Sequence, residues 1–104
     1  MKATEFATTA DQARELGLKV GDTIQGRQDF GEGWIENRIT LLWLGTTQAV
    51  WIVSGRTNCS RFKSGWSCLY ESTGLDLHNR DWERIETPPE HAAFLATLGE
   101  GVQP

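Results

Sequence analysis

From Ser54 to Trp66 the chain reads Ser-Gly-Arg-Thr-Asn-Cys-Ser-Arg-Phe-Lys-Ser-Gly-Trp, with three cations, Arg56, Arg61 and Lys63, and no acid. The whole chain has formal charge −4, so everything outside this stretch sums to −7. Guanidinium and ammonium groups pair with phosphates and carboxylates, and the rings of Phe62 and Trp66 offer faces on which a base or a cation can stack. A connection of about twelve residues is longer than a hairpin needs, which favours a binding loop. The competing reading is a solvated hairpin loop whose cations balance nearby acids.

A second group lies upstream. Residues 28–36, Gln-Asp-Phe-Gly-Glu-Gly-Trp-Ile-Glu, combine Asp29, Glu32 and Glu36 with Trp34 and two glycines. Two carboxylates facing a cleft are the requirement of glycoside chemistry, but three acids in one Gly-rich loop read first as a solvated acidic loop. The segment lacks the Gly-Lys-Ser/Thr ending and the following helix of a phosphate loop. An acidic patch here can complement a basic channel on a partner, with exposed Trp34 or Trp66 as the anchor.

The residues offer little to catalysis. Cys59 or Cys68 with His78 is the only formal nucleophile–base pairing, and Cys68 reads as a small mid-strand hydrophobe. His78 falls in a polar turn and His91 on a helix flank. With two cysteines, no Cys-x-x-Cys and no His-x-x-x-His, a zinc site is not expected, and no cofactor is implied.

The 104 residues suit one domain. An acidic balance of 14 Asp and Glu against 10 Lys and Arg argues against general duplex binding. The N-terminal residues are polar, without the apolar stretch of a secretion signal, and no run is long enough for a membrane span. A cytoplasmic setting with reduced thiols is the expectation, with a Cys59–Cys68 disulfide as the minor alternative.

Thr9-Ala10-Asp11-Gln12 predicts a helix capped by Thr9, with Ala10, Ala13 and Leu16 on its buried face and Gly17 ending it. Lys19 to Ile24 predicts a turn at Gly21-Asp22 and a strand to about Arg27. Residues 38–44 alternate, with Ile39, Leu41 and Trp43 on one face. Residues 49–53 are apolar on both faces and predict a central antiparallel strand. Trp66–Glu71 and Asp81–Ile85 predict two more. Thr87-Pro88-Pro89-Glu90 opens a second helix carrying Phe94, Leu95 and Leu98. The prediction is mainly β: a small five-stranded SH3-like barrel or rolled antiparallel sheet over about residues 18–86, flanked by helices at about 9–17 and 88–98.

The run Leu18-Lys19-Val20-Gly21-Asp22-Thr23-Ile24, with Leu41-Leu42-Trp43-Leu44-Gly45, Ala49-Val50-Trp51 and Arg80-Asp81-Trp82, resembles a family of small bacteriophage proteins over roughly residues 16–86. The Val-Gly-Asp-Thr opening also resembles the entry to the first strand of SH3-like barrels. The phage resemblance implies a non-enzymatic protein that binds and blocks a bacterial host or anti-phage defence component. Alternatives are sequestration of a small nucleotide immune signal in an aromatic and basic pocket, an oligomer being possible, and single-stranded nucleic-acid binding by the same loop. The residues assigned to contact are Arg56, Arg61, Phe62, Lys63 and Trp66, with Asp29, Glu32, Trp34 and Glu36.

Overall fold

Alternation through residues 34–44 and the doubly apolar run at 49–53 demand a sheet with these two segments at its centre. The computed structural model describes residues 6–58, 66 and 69–101. Its elements are α1 (Thr9–Glu15), β1 (Thr23–Asp29), β2 (Trp34–Leu44), β3 (Ala49–Thr57), β4 (Tyr70–Ser72), β5 (Glu83–Ile85) and α2 (Pro89–Gly101). The strands form one antiparallel sheet in the order β4-β3-β2-β1-β5. The protein is mainly β with two short helices, as the sequence predicts. Among the described residues the sheet does not close. Its outer strands are three residues each, which limits the edge open to another chain.

β1 and β2 run further than the Gly-rich composition suggests. Pairing continues through Gln28↔Ile35 and Asp29↔Trp34. The loop at 28–36 thus shrinks to a turn, closed by Phe30 N–H donating to the Gly33 carbonyl at 2.8 Å and turned at Gly31, φ 83°. Glu36 and Trp34 are strand residues, and so is Arg56.

One sheet face carries the core. Ile24, Ile39, Leu41, Ala49, Trp51 and Val53 bury there against Ala13, Leu16, Leu18, Leu77 and Trp82. Trp43 does not join them. The β2–β3 register shifts between Leu41↔Trp51 and Trp43↔Val50. One extra residue in a strand turns all later side chains to the other face. Trp43 is therefore 54% exposed, and Leu44 packs on the core in its place. The wide Trp43 ring lies over Gly45, where a Cβ would collide with it.

The N-cap of α1 is Thr8, not Thr9: Thr8 Oγ1 accepts from Asp11 N–H at 3.1 Å. Thr9 instead ties the helix to the β2–β3 connection, donating to the Thr47 carbonyl at 3.3 Å and accepting from Ala49 N–H at 3.2 Å. Gln12 does not reach back to the cap. It is buried, accepts from Leu77 N–H at 2.8 Å and donates to the Ala7 carbonyl at 3.1 Å. Ala10, Ala13 and Leu16 are buried as their spacing predicts, and Gly17 follows the helix at φ 70°. No helix among the described residues is long and apolar enough to cross a membrane.

Candidate functional site

Side chains alternate across a strand, so the register fixes what shares the face opposite the core. Arg27 lies across from Glu36, Gln25 from Arg38, Glu36 from Arg56 and Arg38 from Ser54. Three strands thereby bring three guanidinia to one patch: those of Arg27 and Arg56 pair with Glu36, while Arg38 Nη1 lies 3.6 Å from Glu90 Oε1 of α2. Arg56 reaches Glu36 Oε1 at 2.7 Å through Nε and 2.6 Å through Nη2, and Arg27 Nε lies 3.8 Å from Oε2. Gln25 donates to Glu36 Oε2 at 3.4 Å and accepts from Arg38 Nε at 3.2 Å. The Glu36 side chain is only 9% exposed, against 38% for Arg56 and 45% for Arg27.

Two tryptophans complete the arrangement. The Arg27 guanidinium sits 4.1 Å from the Trp34 ring centroid and that of Arg56 5.8 Å from it. Arg56 also lies 4.7 Å from the Trp66 centroid, and Arg38 3.8 Å. The result is a stack in the order Arg27, Trp34, Arg56, Trp66, Arg38. Each guanidinium–ring contact adds to packing and holds both planes in register. Trp34 is further fixed by its backbone, with its N–H donating to Asn58 Oδ1 at 2.8 Å and its carbonyl accepting from Thr57 Oγ1 at 2.6 Å.

Of the contact residues assigned from sequence, Arg56, Trp66, Trp34 and Glu36 come together here. Asp29 and Glu32 stand exposed by the β1–β2 turn, beside Phe30, which is 55% exposed. Arg61, Phe62 and Lys63 lie outside the described residues, as do Cys59 and Cys68. Glu36 is not a solvated acid: it is the buried centre of the cluster. Arg27 and Arg38 belong to the site and were missed. The signal was there, since Arg27, Glu36 and Arg38 take the outward parity once the hairpin is paired in register.

Helix α2 covers the other end of the same face, and His91 attaches it. His91 is fully buried, with Nδ1 2.7 Å from Thr40 Oγ1 and Nε2 2.8 Å from Ser54 Oγ. The hydroxyl protons settle its state. Thr87 donates to the Gly21 carbonyl at 2.9 Å, and Thr23 donates to Thr87 at 2.9 Å. Thr23 must then accept from Thr40 at 2.7 Å. Thr40 in turn accepts from His91 Nδ1–H, and Nε2 accepts the Ser54 proton. The neutral Nδ1–H imidazole satisfies every member. Ser54 and His91 are both sealed from solvent, so the pair anchors a helix and does not present a nucleophile.

Burial lowers the His91 pKa below its ordinary value, nearby Glu90 acts against this and Arg38 with it. The unfolded chain then takes up the proton before the folded one does. Stability from this group is complete above about pH 6.5, the unfolded value, and falls as pH drops from there towards the lowered folded value. Melting curves between pH 7.5 and 5.5 should show wild-type stability declining, with a shallower decline in His91→Gln. Equal slopes would remove His91 from the account.

Among the described residues no group of three or more His, Cys, Asp or Glu side chains is gathered to hold a metal ion. His78 bonds Asp76 through Nδ1 at the surface of the 75–82 segment, apart from the Arg–Trp stack. Compared with protein-family models, with curated proteins and with solved structures, the chain matches none, and the stack's own geometry is what speaks for function.

Proposed function

We propose that this chain is a non-enzymatic binding protein that seats on a partner protein through the Arg–Trp stack, acting as a phage-encoded inhibitor of a bacterial host or defence component in the cytoplasm. The observation that carries the reading is the stack itself: alternating guanidinium and indole groups on one face, two of the guanidinia paired with the buried Glu36 carboxylate. Trp and Arg dominate the energetic centres of protein interfaces. Held by one another and by Glu36, these side chains lose little freedom when a partner docks. Phage origin rests on the resemblance of the core and turn residues.

A nucleotide fits this face less well. The ring of Trp34 has Arg27 over it and the ring of Trp66 has Arg38. A base would have to displace a guanidinium before it could stack, whereas a protein surface can use the exposed edges as they stand. The test is purification of the tagged chain from bacterial host cells. A stoichiometric protein partner with no 260 nm absorbance is the expected result. Nucleotide absorbance without protein would replace this reading by nucleotide sequestration, and recovery of neither would overturn both.

A further inference from the structure

On the opposite sheet face, three cross-strand neighbours are Gly26, Asn37 and Gly55. The two glycines leave a notch beside Asn37. A Cβ on Gly26 would come within 2.8 Å of Arg80 Cδ and 2.9 Å of Trp82 Cε3, and one on Gly55 within 2.8 Å of Asn37 Nδ2. Arg80 occupies this notch. It donates to Asn37 Oδ1 at 2.7 Å, Gln28 Oε1 at 3.2 Å, the Gly26 carbonyl at 3.3 Å and Asn79 Oδ1 at 3.0 Å. All four acceptors are neutral. The guanidinium carbon lies 5.0 Å from the Trp82 ring centroid, and burial pulls the Arg80 pKa below its ordinary value.

Beside Arg80 residues of the segment 74–82 and the sheet line a partly open cavity of about 300 Å³. Tyr70, Leu75 and Trp82 are among its apolar lining residues, and Asn37 and Arg80 supply polar groups. This volume is at the lower end of the roughly 300–1,000 Å³ common for small-molecule sites. Asp76 also lines it, with its carboxylate already accepting from Gln12 and His78. A partly desolvated cation whose hydrogen bonds, among the described residues, go to neutral oxygens costs stability that a neutral donor in the same place would not. We propose that this cavity binds a small organic carboxylate, with the anion on the Arg80 guanidinium and its apolar body against Tyr70 and Leu75, the partly exposed apolar residues of the lining, beside the edge of Trp82. Four bonds leave one of the five guanidinium N–H groups for it. The site lies on the far side of the sheet from the Arg–Trp stack and does not depend on the partner reading.

Phenylacetate is a suitable probe, with neutral phenylacetamide as its control. In ¹H–¹⁵N spectra of the full chain, millimolar phenylacetate should shift the Trp82 Nε1 and Arg80 Nε resonances saturably. Phenylacetamide should bind about tenfold more weakly, the loss expected for a missing charge-assisted pair. Arg80→Gln should abolish the preference for the anion, while Arg38→Gln in the stack should leave it intact. Should Arg80→Gln fail to fold, Gly74→Phe decides. Gly74 lines the cavity and an added Cβ there meets nothing within 4 Å, so the variant is expected to fold and its ring to obstruct binding. No saturable shift, equal binding of the neutral control, or undiminished binding in a folded Gly74→Phe variant would overturn the proposal.

Discussion

Trp51→Ala is expected to cost about 3–5 kcal/mol, the range for removing a large aromatic from a packed core. Trp51 has no exposed surface and sits on β3 at the sheet centre, in the cluster with Ile24, Ile39 and Leu41. For a domain of this size each kcal/mol lowers the melting temperature by about 4–8 °C, so the variant should be marginal or unfolded at room temperature. Trp43→Ala should behave quite differently. Its ring is 54% exposed and packs over Gly45, so about 1 kcal/mol is expected, nearer the surface range than the core range. Urea melts of the two variants check the contrast. Trp51→Phe should cost less than its lost volume suggests, because Trp51 Nε1 is buried without an acceptor among the described residues. A cooperative, near-wild-type Trp51→Ala would contradict the core assignment.

The second large effect centres on Glu36. Removing its charge leaves Arg27 and Arg56 on either side of β2 without their shared carboxylate, while Arg38 keeps Glu90 as its partner. The carboxylate is nearly buried, but its guanidinium partners are more than a third exposed, so solvent screens part of the interaction. Glu36→Gln is therefore expected to cost about 1–3 kcal/mol, below the loss for a fully buried pair. Salt gives the signature. Added salt should raise the melting temperature of Glu36→Gln by screening the repulsion, and should do much less for the wild type. Glu36→Gln with Arg56→Gln should lose less than the sum of the two single changes. Additive losses and no salt response would mean that the cluster is not electrostatically coupled.

These outcomes bear on what the sequence could reveal. The central strands were legible because Ile39, Leu41, Trp51 and Val53 follow strand parity, and α1 because small apolar residues recur at helical spacing before Gly17. The Leu41/Trp43 bulge was not legible. It inserts one residue without a local marker, and parity alone sends Trp43 to the wrong face. The hairpin at 28–36 was misread because Gly31 and Gly33 signal a loop, and that signal masks the local β1–β2 pairing, Asp29↔Trp34 and Arg27↔Glu36, that organises these residues. His91 read as a flank residue because its partners, Thr40 and Ser54, are 51 and 37 positions away. Arg56 and Trp66 drew notice through local charge and aromaticity. Their assembly with Arg27, Trp34 and Arg38 needed three strands in register, which composition does not encode.

The most direct test of the central claim is the affinity of the protein partner that the proposal expects to co-purify for single tryptophan variants that melt like the wild type. Trp34 and Trp66 lie inside the stack, and Trp43 is exposed outside it. Trp34→Ala and Trp66→Ala should each weaken binding by about thirtyfold or more, the loss of an interface anchor worth about 2 kcal/mol. Trp43→Ala should bind as the wild type does. Undiminished affinity in both stack variants, or a loss confined to Trp43→Ala, would contradict the assignment of the Arg–Trp face as the contact surface.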